Sequence, residues 1–241
     1  MILSSLLKKF PEVVFGFSTI EGGVSPAPYF LNISTSVGDQ EENVKKNREI
    51  FFNELGITKD EITFQLQIHS SVIKYSDRPE LLESCDALYT DKKNNFLAVS
   101  VADCIPVFLY EPEKKVVACI HSGWKGTYEK ITTCMIEELK KNFSIDVSKL
   151  VAYIGPGISV ENYEVGKDLA DRFNVKVVNQ KNGKFFLDLK KDNFIQLINC
   201  GVEEKNIEVS EHCTFNEKHL LHSYRRDGQR SGRMFGIIGM R

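Results

Sequence analysis

The sequence predicts an α/β fold, because short apolar runs typical of strands alternate with segments of helical periodicity along all 241 residues. The strand-like runs include Phe96–Ala102 and Val116–Ile120. The helix-like segments include Asn43–Leu55 and Asp192–Cys200, and a glycine follows each of them. No linker, repeat or low-complexity tract interrupts this alternation, so residues 1–241 are predicted to form a single domain.

The same patterns assign the other elements. Apolar or alternating runs predict a hairpin around Asn182-Gly183 within Lys176–Phe186, and strands at Phe10–Phe17, Ile62–Ile68, Cys85–Thr90, Leu150–Ile154 and Ile207–Val209. Apolar residues spaced by four predict a helix over 127–143, with Thr127 as its cap, and another helix over 163–173.

The charge balance argues against a nucleic-acid partner. The chain holds 31 Lys and Arg against 33 Asp and Glu, a formal net charge of -2, whereas binding to phosphate backbones favours a basic excess. Residues 1–9 have no basic stretch before their apolar part, which is too short for a signal peptide or a membrane span. We therefore expect a cytoplasmic protein without a membrane partner, and the lack of a long heptad run favours a monomer.

The six cysteines show no CxxC pair, so we expect them to be reduced in the cytosol. Cys119 lies in an apolar strand, and Cys134 and Cys200 lie in predicted helices. Cysteine often behaves as a small apolar residue, and these three are expected in the core.

One cysteine and two histidines share a position at the ends of predicted strands. Cys104 and His121 close two of these runs, and His69 closes a third. Two imidazoles and a thiolate suit Zn²⁺ and leave a fourth position for water or substrate, although the spacing matches no zinc-finger pattern. Two other interpretations stay open: three unrelated residues, or a cysteine hydrolase with Cys104 as nucleophile and His121 as its base.

Further motifs extend along the chain around these residues. They are Gly22-Gly23-Val24-Ser25, Asn47-Arg48, Gln67-Ile68-His69, Asp86-Ala87-Leu88-Tyr89-Thr90, Ala102-Asp103-Cys104-Ile105-Pro106, His121-Ser122-Gly123-Trp124-Lys125-Gly126, Gly155-Pro156-Gly157-Ile158, Tyr163-Glu164-Val165, Cys213-Thr214 and Ser223-Tyr224-Arg225-Arg226-Asp227-Gly228. In content and order they resemble the YfiH-type family, first labelled polyphenol oxidases or laccases and now described as purine nucleoside phosphorylases. The chain departs from the family pattern at Ser70, Ser122 and Lys125, where Gly, Ala and Arg are usual.

The resemblance implies a four-layer α/β/β/α sandwich and a zinc ion held by His69, Cys104 and His121, a site that copper can also occupy. It implies phosphorolysis of adenosine, inosine, guanosine and methylthioadenosine, with some deamination of adenosine. The partners it implies are purine nucleosides and phosphate. With these reactions in mind, the residues Arg48, Arg225 and Arg226 are candidate contacts to phosphate or ribose, since guanidinium groups bind oxyanions well.

Proton transfer and base binding need further side chains. Asp86 and Asp103 are candidate proton shuttles, and each is equally explained as a turn residue or as a group that positions a metal ligand. Cys104 and His121 are candidate catalytic groups as well as metal ligands. Trp124, the only tryptophan, is a candidate for stacking on a base, with packing in the core as the competing interpretation.

Two further functional classes compete with the phosphorylase. One is a binding module, in which the metal is structural or the purine is only sensed. The other is a copper-dependent polyphenol oxidase. Multicopper oxidases need many imidazole ligands, and the chain has five histidines, of which His212, His219 and His222 are expected at the surface. Any oxidase activity is therefore expected to be incidental, with copper in the site of His69, Cys104 and His121.

Overall fold

In a computed structural model, which describes all residues from 1 to 241, two β-sheets face each other and helices cover their outer faces. The strands are β1 (Val13–Phe17), β2 (Ile62–Gln65), β3 (Ile73–Tyr75), β4 (Leu81–Leu82), β5 (Ala87–Thr90), β6 (Phe96–Val101), β7 (Ile105–Glu111), β8 (Val116–Ser122), β9 (Val151–Ile154), β10 (Glu164–Val165), β11 (Val178–Lys181), β12 (Lys184–Leu187), β13 (Ile207–Val209) and β14 (Met234–Met240). The helices are α1 (Glu41–Glu54), α2 (Trp124–Tyr128), α3 (Ile131–Phe143), α4 (Lys167–Ala170), α5 (Leu189–Cys200) and α6 (Tyr224–Asp227).

The strands form one five-stranded sheet, in the order β1-β14-β6-β2-β4, and one six-stranded sheet, in the order β13-β9-β7-β8-β5-β3. A small sheet, β10-β12-β11, lies beside them. Strands β6 and β7 follow each other in the sequence but belong to different large sheets. Residues 102–104 therefore carry the chain from one sheet to the other, and this crossing contains Cys104.

Alternation of side chains along the strands produces three apolar layers. Val99 of β6, Phe108 of β7 and Cys119 of β8 belong to a cluster of 18 buried residues between the two sheets. A second cluster of 22 residues fills the space between the six-stranded sheet and helices α3 and α5. A third, of 9 residues, lies between the five-stranded sheet and α1. The observed architecture is thus the α/β/β/α sandwich that the family resemblance implies.

The two sheets approach closely at Gly236 of β14. A Cβ atom added there would overlap the ring of Phe108 from the opposite sheet and lie 3.1 Å from Cδ2 of Phe17. Glycine is required at this position because no other residue leaves room for the aromatic ring. Gly236 pairs with Val99 of β6, so packing between the sheets is tight close to the point where β6 ends and the crossing at residues 102–104 begins.

Several predicted boundaries change in the structure. The hairpin around Asn182-Gly183 and the end of α5 at Gly201, whose φ is 99°, are confirmed. Strand β2 stops at Gln65, because its partner β4 is only two residues long. The predicted end of that strand instead forms a loop, in which Leu66 and Ile68 are about half exposed (48% and 51%).

The helix predicted over 127–143 is two helices. Lys130 has a φ of 60°, which ends α2 and separates it from α3. Thr127 does not cap either helix, because its Oγ1 donates to the carbonyl of Gly123 inside α2. The helix predicted over 163–173 is also wrong: this segment forms strand β10 and the four-residue helix α4. None of the helices is both long and apolar enough to span a bilayer.

Two residues differ from the prediction in whether they are buried or exposed. Cys134, expected in the core, is exposed. His222, expected at the surface, is 3% exposed, and its ring lies against the backbone of Gly232, where a Cβ atom would overlap it. Burial lowers the pKa of His222 to about 4 from the ordinary value of 6.5. The sequence around His222 is polar and therefore did not indicate that the ring is buried.

Replacing His222 with glutamine is expected to weaken the dependence of stability on pH. The unfolded chain binds a proton at His222 below pH 6.5, whereas the folded chain does so only near pH 4. The stability that depends on the neutral ring is therefore complete above pH 6.5 and is lost as the pH falls towards 4, by about 3 kcal/mol. Thermal unfolding of H222Q from pH 7 to pH 4 should lose less stability than the wild type; equal losses would contradict this origin.

Candidate metal centre

The three predicted ligands meet where the core between the sheets opens to solvent. His69 lies in the loop after β2, Cys104 in the crossing between the sheets, and His121 in β8. Their ligand atoms all lie within 4.8 Å of one another, with 4.0 Å between Cys104 Sγ and His69 Nε2. Zn²⁺ binds nitrogen and sulfur at about 2.0–2.3 Å, which places tetrahedral ligand atoms roughly 3.5 Å apart. The donor types and their spacing fit such an ion.

His121 reaches the site through strand alternation. It lies one residue before the end of β8, not after the strand as the sequence pattern suggested. Its side chain shares the face of Val117 and Cys119, which belong to the core between the sheets. The imidazole is 3% exposed, and its ring centroid is 4.8 Å from that of His69, at an interplanar angle of 85°.

Asp86 joins the two histidines. It is fully buried and accepts hydrogen bonds from the backbone N–H of His69 at 3.0 Å, from both the N–H and Oγ of Ser70 at 2.7 Å, and from Nδ1 of His121 at 2.8 Å. Burial acts to raise the pKa of Asp86, but the bonds from His121 and Ser70 outweigh it and lower that pKa to about 2. The bond at Nδ1 leaves Nε2 of His121 free for a metal. Asp86 therefore positions the histidines and has no exposed oxygen with which to shuttle protons.

The backbone of the site adopts conformations that cost free energy. His69 has a φ of 57° and Asp103 a φ of 97°, both in the left-handed region. Gly123 removes a further obstacle, because a Cβ atom there would lie 2.9 Å from Sγ of Cys104 and 3.4 Å from Cδ2 of His69. These features cluster at the three ligands, which is common at functional sites.

The charges at the site favour the thiolate of Cys104. Burial acts to raise the pKa of this thiol, but the imidazoles of His121 and His69 outweigh it and lower the pKa to about 6. Cys104 is therefore largely a thiolate at neutral pH, the form that both metal ions and electrophiles require.

Asp103 links the centre to the C-terminal segment. Its carboxylate accepts hydrogen bonds from Oγ1 of Thr214 and from the backbone N–H of Arg225, both at 2.6 Å. The guanidinium of Arg225 lies 5.0 Å above the ring of Tyr163, and its Nη1 donates to the carbonyl of Glu164. Asp103 therefore fixes the start of α6 beside Cys104.

The sequence reasoning missed the role of Tyr163. Burial raises the pKa of its hydroxyl to about 12, and the negative charges of Cys104 and Asp103 act in the same direction. The residue stands in the matched motif Tyr163-Glu164-Val165, which was assigned to the start of a helix. Its place in a matched motif is the feature of the sequence that could have indicated a functional role for Tyr163.

The structure gives Arg226 and Trp124 partners within the protein. All five N–H donors of the Arg226 guanidinium are used, by Asp227 and by the carbonyls of Thr214, Phe215 and Leu221. No donor is left for phosphate, which corrects the predicted substrate contact. Trp124 packs against the core between the six-stranded sheet and its helices. This favours packing over stacking on a base.

Arg48 is half-buried, although it lies on the helix α1. Its Nε donates to the carbonyl of Ile33 at 2.8 Å, and its guanidinium lies over the rings of Phe64 and Phe235. No carboxylate lies within ion-pair distance of it. Arg48 therefore stays a candidate anion contact.

The protein is an α/β/β/α sandwich with two histidines and a cysteine at the open end of the core between its sheets. This combination defines the class of sandwich proteins with a candidate metal site. The chain belongs to the family described as multi-copper polyphenol oxidoreductase laccase, whose model matches residues 14–241. Among similar proteins, the purine nucleoside phosphorylase YlmD of Bacillus subtilis is 36% identical over 95% of this chain and 89% of its own length. A purine nucleoside phosphorylase of Haemophilus influenzae is 35% identical over 95% of each chain.

Solved structures agree with the fold. The hypothetical protein YfiH of Bacillus licheniformis has a TM-score of 0.91 and 34% identity over 95% of this chain and 93% of that one. YlmD from Geobacillus stearothermophilus has a TM-score of 0.92 and 30% identity over 99% of this chain and 94% of that one.

The chain contains one candidate metal site, whereas the family's description names several coppers. The three ligands are the only group of three or more His, Cys, Asp and Glu side chains arranged to hold an ion. Of the other histidines, His212 bonds to Glu217, His219 is exposed and His222 is buried against Gly232. These histidines do not form the further imidazole ligand sets that several copper ions need.

Proposed function

We propose that this protein is a zinc-dependent purine nucleoside phosphorylase that cleaves adenosine, inosine, guanosine and methylthioadenosine, with deamination of adenosine as a side reaction. The observation that carries the proposal is the cluster of His69, Cys104 and His121, oriented by the buried carboxylate of Asp86. The names of the relatives support the same reaction class.

In phosphorolysis a phosphate oxygen bonds to the anomeric carbon of the ribose while the bond from that carbon to the purine breaks. The purine leaves with a proton, and ribose 1-phosphate is the second product. Such a reaction needs an oxyanion held near the sugar, a polarised leaving group and a site sheltered from water. Cys104 packs against the apolar core between the sheets, which would shelter one side of the reacting groups from water.

The proposed ion is Zn²⁺, with Cu²⁺ as another occupant of the same ligands. When bound, it would supply Lewis acidity and lower the pKa of a bound water, which is the chemistry that deamination needs. Asp86 keeps His121 in the tautomer that offers Nε2 and holds the backbone of His69 in place. Cys104 contributes its thiolate.

The neighbouring residues are proposed to bind the nucleoside. Tyr163 offers an aromatic ring, and the guanidinium of Arg225 lies over it at 5.0 Å. Aromatic faces bind purines by stacking. Asp103 positions Arg225 through its backbone N–H and so keeps the pair of Tyr163 and Arg225 next to the metal ligands.

Product analysis tests the function directly. Incubation of the zinc-loaded protein with adenosine is expected to release adenine and ribose 1-phosphate only when phosphate is present, because phosphate is a reactant. Inosine formed without phosphate would report the deaminase reaction. If neither adenine nor inosine appears at any phosphate concentration, the protein is not this enzyme and a binding module becomes the better account.

The thiolate of Cys104 beside His121 is the observation that favours a cysteine hydrolase as the second candidate. The two candidates use the same residues but differ in metal content. Protein that is purified without metal, retains hydrolytic activity and is inactivated by iodoacetamide would be a hydrolase. Protein with one zinc per chain, whose activity a chelator removes, would be the phosphorylase.

A further inference from the structure

Two arginines flank one short segment beside the metal centre. The N–H of Arg233 donates to Oδ1 of Asn32 at 2.9 Å, and its carbonyl accepts from the N–H of Ile33. The carbonyl of Ile33 accepts from Nε of Arg48 at 2.8 Å. Residues 32–33 therefore hold both arginines in the same part of the molecule.

Both guanidinium groups are half-buried, and neither has a carboxylate within 4.0 Å, the limit for an ion pair. The two Nη atoms of Arg48 make no hydrogen bond within the protein, and the same holds for Nε and Nη2 of Arg233. Burial lowers the pKa of each group. By contrast, Arg241 pairs with Glu61, and Arg226 uses all of its donors. A charge kept half-buried without a partner is costly unless a ligand supplies the opposite charge.

The two groups are also held rigidly. Arg48 lies 5.2 Å from the ring centroid of Phe64 and 5.4 Å from that of Phe235. Arg233 lies 5.6 Å from the centroid of Tyr224, and its Nη1 donates to the carbonyls of Ser231 and Gly232. Such contacts fix a guanidinium in advance, so less conformational entropy is lost when a ligand binds.

The strand register places these arginines at the end of the five-stranded sheet from which the loops with the metal ligands continue. Met234 pairs with Val101, so Arg233 stands at the end of the sheet where the chain continues to Cys104. Phe235, which packs on Arg48, pairs with Ser100, and the side chain of Gln67 bonds to both backbone groups of Ser100. Gln67 lies two residues before His69. Both arginines are thus linked, through strands β6 and β14 and the side chain of Gln67, to the segments that carry His69 and Cys104.

We propose that Arg48 and Arg233 together bind the phosphate dianion, in the form of inorganic phosphate, as the second reactant of the phosphorolysis. This assignment rests on the proposed function. It includes Arg233, which the sequence reasoning did not single out, and it replaces Arg226, whose donors are all used. A nucleoside 5′-monophosphate could also supply the phosphate group. The two cases differ because only a site for inorganic phosphate binds the free ion.

The test uses zinc-loaded protein and the variants R48Q and R233Q, with R230Q as the matched control, because Arg230 is exposed and lies three residues before Arg233. Loss of a charged hydrogen bond costs about 1.5–3 kcal/mol, so each variant should raise the KM for phosphate by roughly 10-fold to 100-fold. The KM for adenosine should change by less than about twofold, a shift below 0.5 kcal/mol. The conservative variant R233K should recover part of the affinity, because it keeps the charge but loses the planar fork.

Calorimetric titration of phosphate into the same proteins separates this inference from the proposed function. Wild-type protein and R230Q should bind phosphate, and R48Q and R233Q should bind it at least about tenfold more weakly, a change of 1.4 kcal/mol or more. If wild-type protein binds phosphate in this way but releases no adenine, the function fails and the subsite stands. Equal phosphate affinities in all variants, or binding of AMP alone without free phosphate, would overturn the assignment.

Discussion

Replacing Cys104 with alanine is expected to abolish both stoichiometric zinc binding and turnover of adenosine. The thiolate is the only sulfur ligand, and its removal leaves two imidazoles that come from different loops and sheets. Changes to groups that merely orient ligands cost about 10–100-fold in affinity or activity, so loss of a ligand should exceed the upper end of that range. Metal content measured on purified C104A and its rate of adenine release test both parts of the expectation.

The matched control is C134A. Cys134 is exposed and lies on α3, away from the three ligands, so this variant should keep its zinc and its rate. It also reports any effect of removing a reactive surface thiol. A C104A protein with one zinc per chain and an undiminished rate would remove the proposed centre. A zinc-free but active C104A would support the ligand role of the cysteine but show that turnover needs neither the thiolate nor the metal.

The second large effect is expected at Asp86, where D86N should weaken both zinc binding and the fold. The carboxylate accepts bonds from His69, Ser70 and His121, and an amide can accept through only one of its two groups while its N–H₂ faces donors. Zinc affinity should fall by about 10–100-fold. Because a buried charged partner is removed, the free energy of unfolding should fall by about 3–5 kcal/mol.

Competition with a zinc chelator and urea unfolding of the metal-free protein measure these two effects separately. D77N is the matched control, since the side chain of Asp77 is 72% exposed and the same substitution there should change neither quantity by more than about 0.5 kcal/mol. A D86N protein with wild-type zinc affinity would mean that Asp86 does not orient the ligands, whatever its effect on stability.

Much of the layer structure was predictable because the central strands, such as β6 and β8, are apolar runs with their own turn signals. The runs at Phe96–Ala102 and Val116–Ile120 became β6 and β8 with small changes at their ends. Local sequence patterns do not show to which sheet each strand belongs. β6 and β7 are neighbours in the sequence yet belong to opposite sheets, and only long-range pairing, as between β6 and β14, decides this.

The candidate ligands were predictable for a simple reason: histidine and cysteine at the ends of apolar runs are uncommon and chemically informative. The surrounding arginines were not. Arg225, Arg226 and Arg233 look alike in the sequence, but one lies over Tyr163, one uses every donor within the protein and one keeps free donors. The left-handed conformation of Lys130, which splits a predicted helix, is likewise not indicated by helix propensity.

The origin of the ligands in two different sheets has a mechanical consequence. His69 follows β2 of the five-stranded sheet, whereas His121 lies in the six-stranded sheet and Asp86, next to β5 of that sheet, bonds to both residues. The distance between the nitrogens of the two histidines therefore depends in part on how the sheets are aligned. Sliding of one sheet by a single ångström, of the kind that a larger side chain at Gly236 against Phe108 would force, would deform the coordination geometry from a distance. Selection for metal affinity would then act on residues deep in the interior that touch neither the ion nor any substrate.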